Sequence, residues 1–283
     1  MAGSYLNIVT FLLTTLFYYM ALKPRLTYQT LNNQKEFTSF TSNNYIYLAV
    51  YILLVIIIQF MVNASIISST CGGSITENIG SAGIFTFLPW ILIFGVLVLV
   101  LTIYPGFKSA FSDVIGYYYV SSSANKVLTD LLIDKNIQSK LDSDATMSAD
   151  KKVAMQSAAD AIIKICGNTS ILINQIVPNN FNNYWGILKP LMKEQYQTDG
   201  PAADSMKSKL FEIVVTRDDV GEAMWYMYTG ILLTSLVQLK ISTKGCASNP
   251  KTMEQNYQKF VEQEQQAKAT QEQATGTTYT ITN

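Results

Sequence analysis

The chain has 283 residues, of which 49% are hydrophobic and only 14% are charged. Twenty basic residues balance twenty acidic ones, so no net charge attracts nucleic acid, and the lack of histidine removes the commonest general base and metal ligand. The composition favours a membrane protein and disfavours nucleic-acid binding.

Four uncharged stretches predict transmembrane helices, because their lengths of 17 to 21 residues are close to the roughly 20 residues that cross a hydrocarbon core of about 30 Å. They are residues 5–22, 45–62, 84–104 and 223–239. The first could instead be a secretory signal peptide, but no basic residue precedes it, so we prefer an uncleaved helix. Gln59, in the second stretch, is expected to bond a neighbouring helix rather than to line a pore.

Polar segments connect these predicted spans. Residues 26–44 and 63–83 predict loops, and 240–283 a polar tail with a helix from Pro250 to about Gln273. Residues 121–222 form a longer, mainly helical pattern, including a helix ending near Cys166 and a strand or helical turn at 171–177. The predicted fold is an all-α membrane protein with four transmembrane helices and a mainly helical external domain between the third and fourth.

Residues 105–120 follow the third span and predict an amphipathic segment on the membrane surface. Pro105 and Gly106 should stop the helix where the bilayer ends. Apolar side chains then recur on one helical face, while Lys108 lies on the other. The predicted hinge at the membrane surface consists of Pro105, Gly106, Phe107, Phe111, Ile115, Gly116, Tyr117 and Tyr118.

Two features predict where the third and fourth spans begin. Asp218 and Asp219 would complement the dipole at the N-terminus of the fourth helix, and nearby aromatic residues would form an interfacial belt. Pro89 near the start of the third helix would cost little, and Trp90 suits the interface or the first turn inside it. Asp218, Asp219 and Glu222 could alternatively hold a cation, but a helix cap explains them more simply.

The topology sorts the cysteines and the glycosylation sequons. Cys71 and Cys246 fall on one side of the bilayer, so a disulfide between them is possible, whereas Cys166 lies across the membrane and is expected to be a buried thiol. The sequons at Asn63 and Asn168 lie on opposite sides, so at most one can carry a glycan. Basic residues near the span ends place residues 105–222 on the cytoplasmic side.

The sequence offers no pattern for an enzyme. Without histidine, a serine or cysteine nucleophile would need another base, and no Ser-x-x-Lys pair has a catalytic context. The Gly-rich stretch after Cys71 lacks the lysine of a phosphate loop. None of the predicted spans contains an ionisable acid or base, which disfavours an ion-coupled carrier. We therefore expect no catalytic residue, cofactor, metal ion or small-molecule substrate.

The stretch from Tyr104 to Tyr117, YPGFKSAFSDVIGY, resembles a motif of membrane-anchored minor capsid proteins of large eukaryotic double-stranded DNA viruses, including the algal giant viruses. The family pattern is approximately Pro-Gly-Trp-x-x-Pro-Phe-Ser-Asn-x-x-Gly-Tyr, and this chain departs from it at Phe107, Ala110 and Asp113. A second similarity lies around the fourth span. It comprises Trp225-Tyr226, Thr229-Gly230 and Ser235, followed by Gly245-Cys246 and a tail rich in Gln and Glu.

The resemblance implies a non-enzymatic structural protein in the virion inner membrane, which ties this bilayer to the capsid shell. Its implied partners are the lipid bilayer and capsid proteins or other virion membrane proteins. A channel or entry-complex membrane subunit is the alternative, and a membrane-bound enzyme with a polar cleft in the external domain is a third interpretation.

Overall fold

The computed structural model describes residues 3–71, 74–132, 168–243 and 250–275. Within these ranges the chain is helical, and the only β-type pairing is an isolated bridge between Leu132 and Met192. The predicted helix ending near Cys166 lies outside the described residues, as do Cys246 and the last eight residues of the tail, 276–283.

The first part of the chain forms long apolar helices. They are α1 (Gly3–Phe17) with a π-helical continuation (Tyr18–Leu22), α2 (Tyr28–Asn32), α3 (Gln34–Cys71), α4 (Ile75–Pro89), a π-helical turn (Trp90–Gly95) and α5 (Val96–Ile103). Three stretches are long and apolar enough to cross a membrane, namely Tyr5–Leu22, Gln34–Cys71 and Asn78–Ile103. They contain the first two predicted spans and all of the third except Tyr104, and they indicate a membrane location.

The remaining described helices follow a short 3-10 turn (Pro105–Lys108). They are α6 (Ser109–Phe111), a π-helical turn (Ser112–Gly116), α7 (Tyr117–Leu131), α8 (Thr169–Gln175), α9 (Phe181–Leu188), α10 (Glu194–Gln197), α11 (Pro201–Thr243) and α12 (Pro250–Thr275). Helix α12 confirms the predicted helix in the tail. Helix α8 decides the ambiguous stretch at 171–177 in favour of a helix, because Leu172 and Ile173 are buried on one of its faces.

The predicted loops at 26–44 and 63–83 are wrong. Most of the first is helical in α2 and the start of α3, and the second is shortened because α3 continues to Cys71 and α4 begins at Ile75. Hydroxyl side chains bond back to their own helix in α3, as Thr38 does to the Gln34 carbonyl. Tertiary packing also holds α2, where the Tyr28 ring contacts the rings of Phe181 and Phe211. The polar composition of these segments indicated neither the side-chain bonds to the helix backbone nor the tertiary packing.

The predicted positions of Pro89 and Trp90 are also wrong. Pro89 lies inside a helix that begins at Ile75, and the π-helical turn directly after it accommodates the local change in hydrogen bonding. Trp90 has no exposed surface and packs against Phe11 and Phe94 at centroid distances of 5.3 and 5.2 Å. Trp90 is therefore a core residue rather than an interfacial anchor.

Helix α11 contributes to each of the three apolar clusters formed by the described residues. Leu210 and Val214 belong to a cluster with α7, α8 and α9, which we call the outer core. Farther along, Leu233 packs with α1, α3 and α5 in the bundle core, and Ile241 joins a small cluster with α3 and α4. One helix of 43 residues thus connects all three clusters.

The predicted start of this helix at Asp218 and Asp219 is wrong, since α11 begins at Pro201. By its sequence pattern alone, the amphipathic stretch at 206–215 could form either a helix or a strand. It is helical because Leu210, Phe211 and Val214 lie on one helical face and are fully buried in the outer core. That residues 223–239 cross the membrane stays a prediction.

Buried polar side chains link α1, α3 and α4 inside the apolar bundle. The Asn7 amide donates to Asn63 Oδ1 at 2.9 Å, and Asn63 in turn donates to the Thr86 hydroxyl at 2.8 Å. As predicted, Gln59 bonds a neighbouring helix, through the Asn7 carbonyl and the Thr10 hydroxyl. Such bonds stabilise helix association where water is excluded. Because Asn63 is fully buried, this fold cannot accommodate a glycan at its sequon.

Replacing Asn63 should weaken the packing of α1, α3 and α4. We expect Asn63→Ala to cost about 1 to 2 kcal/mol, because two hydrogen bonds are lost and the Asn7 and Thr86 side chains keep buried polar atoms. Thermal unfolding in detergent would measure the loss. Asn43→Ala, an exposed change on the same helix, is the control and should leave stability unchanged.

Candidate functional site

The chain turns where the hinge was predicted. Helix α5 ends at Ile103, Tyr104 leaves the helical conformation, and Pro105 opens the 3-10 turn. The turn is closed by a 3.0 Å hydrogen bond from the Phe107 amide to the Tyr104 carbonyl. Pro at the first position costs no hydrogen bond, since that amide would have no helical acceptor. The pair Pro105-Gly106 therefore ends the helix as expected.

The apolar residues of the hinge divide into two groups. Phe107 and Tyr118 are exposed, whereas Phe111 and Ile115 are half-buried. The Phe111 ring meets Trp225 of α11 edge to face at 5.0 Å, and Trp225 Nε1 donates a 2.9 Å hydrogen bond to the Phe107 carbonyl. The hinge is therefore attached to α11 at the start of the predicted fourth span.

Small residues, whose packing role was not predicted, bring the backbones of the hinge and α11 close together. Ser112 and Gly116 are buried on the side that faces this helix. A Cβ at Gly116 would lie 2.5 Å from the Arg217 carbonyl oxygen, and one at Gly221 would lie 2.6 Å from the Ser112 Cβ. Only glycine permits this approach. The i, i+4 spacing of Ser112 and Gly116 was the available signal.

Next to this contact lies a buried ion-pair cluster, which we call the charged brace and which consists of Lys23, Lys108, Asp218, Asp219 and Glu222. Lys23 Nζ lies 2.7 Å from Asp219 and 2.6 Å from Glu222. Lys108 Nζ lies 2.7 Å from the other oxygen of Glu222 and 3.1 Å from Asp218. The Glu222 carboxylate thus joins the end of α1 to the hinge through one position on α11.

Burial and neighbouring charges shift the pKa values of the brace residues in opposite directions. Burial alone would raise the pKa of Glu222, but attraction to Lys23 and Lys108 and the hydrogen bonds from both hold that pKa well below its ordinary value. Burial likewise opposes protonation of Lys23, yet Asp219 and Glu222 raise its pKa above the usual range. Burial raises the pKa of Asp219, and the attraction of Lys23 only partly offsets that effect.

Two predictions about these residues are wrong. Asp218 and Asp219 do not cap a helix N-terminus, because they lie in the interior of α11 and pair with lysines. Lys108 does not lie on a solvent-facing surface, since its side chain is only 14% exposed. Buried charges in proteins are normally paired. The available signal for the brace was therefore the acidic cluster before the fourth predicted span together with Lys23 and Lys108, which follow the first and third.

A cavity of about 310 Å³ lies beside the brace, between α3, the hinge and α11. Its lining includes Arg217, which is 1% exposed. The Arg217 guanidinium donates to the Ile173 carbonyl and to Asn174 Oδ1, but its buried Nε has no acceptor. Within the described residues no carboxylate forms an ion pair with Arg217. Burial lowers its pKa, partly opposed by Asp113 and Asp218.

The remaining predictions for these side chains concern a disulfide and metal binding. Cys71 is disulfide-bonded, and its predicted partner Cys246 lies outside the described residues, so the pairing stays a prediction. Among the described residues, no group of three or more acidic or cysteine side chains is arranged to hold a metal ion. The site connects three parts of the chain through buried charges and close backbone contact.

Loss of the aromatic contact should loosen the hinge. We expect Phe111→Asp to cost about 2 to 3 kcal/mol, because it removes a half-buried ring from Trp225 and places a carboxylate at a half-buried position. Limited proteolysis in lipid bilayers would detect the change as new cleavage near Tyr104. Val114→Asp, at an exposed position of the same segment, is the matched control and should not expose that site.

Comparison with known proteins gives no assignment, because no family model, no curated protein and no solved structure matches this chain.

Proposed function

We propose that the chain is a non-enzymatic structural protein of a virion inner membrane, where it ties the bilayer to the capsid shell. In this proposal residues 223–239 form a fourth transmembrane helix, and the outer core belongs to an external domain that contacts capsid proteins. The proposal rests on the motif around Pro105 and on the buried charges and close backbone contacts that connect three parts of the chain at the site.

The continuity of α11 is the observation that supports this function best. A tether must transmit force, and a single helix running from the outer core into the bundle core does so without a flexible joint. The brace lies at its midpoint and binds it to both α1 and the hinge. A buried charge network and glycine contacts resist sliding of packed helices, which suits a scaffold.

The alternative, a channel or entry-complex subunit, would require a hydrated path lined by polar side chains of the spans. Gln59 donates to α1, and Thr234 donates to the Ile231 carbonyl of its own helix. Because these groups are bonded within the protein, they favour a packing role over a conducting one. Measurable conductance of the purified chain in planar bilayers would support the channel instead.

Virus particles provide the direct test. The chain should be present in purified particles and remain with the membrane after the outer shell is removed. Protease added to such stripped particles should cleave residues 121–222 and leave the tail, 240–283, protected. A chain found only in host membranes would contradict the virion role, and a shielded domain with a cleaved tail would contradict the proposed orientation.

A further inference from the structure

The cavity beside the brace has the position and chemistry of a lipid site. Lys23 directly follows the first candidate span, and Leu101 and Thr102 lie at the end of the third, so the cavity lies where these helices leave the apolar layer. One wall is a face of α3 that includes Phe37, Thr41 and Leu48. The cavity is therefore lined by apolar side chains on one wall and by charged side chains on another.

Two groups on the charged wall have no ion-pair partner among the described residues. Arg217 is a buried cation without a carboxylate partner, and its Nε–H has no acceptor. The lining also carries four acidic side chains, of which three pair with Lys23 and Lys108, and this leaves Asp113 without an ion pair. A guanidinium is well suited to bind phosphate oxygens, whereas an unpaired carboxylate accepts hydrogen bonds from an ammonium group. A ligand that satisfies both groups carries a phosphate and an amine.

We propose that this cavity binds the headgroup of a membrane aminophospholipid of the ethanolamine type, with the phosphate at Arg217 and the ammonium group facing Asp113. A choline headgroup would bring no N–H donors to this carboxylate. An anionic headgroup would add negative charge to a lining that already has a surplus of it. The apolar wall at Leu48 and Leu101 receives the glycerol and the first acyl carbons.

The two arginines of the chain provide a matched pair of variants. Arg217 lines the cavity, whereas Arg25 is exposed and lies outside it, although both adjoin the same membrane boundary. The full chain, purified in detergent, would be mixed with dioleoyl phosphatidylethanolamine, phosphatidylcholine or phosphatidylglycerol, and retained lipid would be counted by native mass spectrometry. We expect about tenfold stronger retention of phosphatidylethanolamine, and Arg217→Gln should abolish this preference whereas Arg25→Gln should keep it.

A second variant keeps the test valid if Arg217→Gln does not fold. Thr41→Phe fills the cavity from α3 without altering a charge, so it should remove lipid retention while thermal stability without lipid is preserved. Soluble phosphoethanolamine and inorganic phosphate serve as competitors and should displace the lipid only weakly. Equal retention of the three lipids, retention by Thr41→Phe, or full displacement by inorganic phosphate would overturn the proposal. None of these outcomes depends on the capsid role.

Discussion

Glu222→Gln should be the most destabilising single polar substitution of the brace. The change removes the carboxylate that both Lys23 and Lys108 contact, and it leaves two buried ammonium groups with one acidic partner each. Breaking a buried ion pair by removing one partner typically costs several kcal/mol, and we expect about 3 kcal/mol here. Thermal or denaturant unfolding in detergent micelles measures it.

The pH dependence identifies the cause of this loss. Because the pKa of Glu222 is lower in the folded protein than in the unfolded chain, its contribution is complete above the unfolded value and is lost as the pH falls. The stability difference between wild type and Glu222→Gln should thus be constant above about pH 5 and shrink below about pH 4. Glu212→Gln, an exposed change on the same helix, should have little effect at any pH. A cost under about 0.5 kcal/mol for Glu222→Gln would mean that the brace does not stabilise the fold.

Adding one methyl group at Gly116 or Gly221 should also destabilise the protein strongly. The new Cβ would meet backbone atoms of the facing segment, which cannot rotate away as a flexible side chain can. We expect Gly116→Ala and Gly221→Ala each to cost about 2 to 3 kcal/mol through forced separation of the hinge from α11. Unfolding of each variant in detergent measures the cost.

Gly186→Ala is the matched control for these substitutions. Gly186 lies in helix α9, and nothing lies within 4 Å of an added Cβ there. Because alanine is the better helix former, this variant should gain about 0.5 to 1 kcal/mol. A loss of stability at Gly116 and Gly221 and a gain at Gly186, for the same Gly→Ala change, would show that close contact with the facing segment causes the loss. Stability equal to wild type in Gly221→Ala would contradict the contact.

Local signals in the sequence were sufficient for part of this fold. Long uncharged stretches identified the three helices that are long and apolar enough to cross a membrane, and Pro105-Gly106 located the end of α5, because both effects depend only on neighbouring residues. The role of Gln59 also followed, since a lone polar side chain in an apolar helix needs a partner.

Features that depend on distant partners could not be predicted in the same way. Glu222 is bonded to Lys23 and Lys108, which are far from it in the chain, and a local interpretation assigned its acidic neighbours to a helix end. Similarly, the helical state of residues 26–44 depends partly on Tyr28 packing against Phe181. Such contacts override local propensity, and a single sequence does not reveal them.

A distance measurement along α11 tests most directly whether one rigid helix joins the outer core to the bundle. Lys209 and Ser235 are exposed on this helix and on opposite sides of the brace, so spin labels attached there through unnatural amino acids leave the native cysteines intact. At 1.5 Å per residue, pulsed electron paramagnetic resonance in lipid nanodiscs should give one narrow distribution near roughly 39 Å. A broad distribution, or one centred well below this value, would mean that the helix breaks near Asp218, and would contradict the rigid connection.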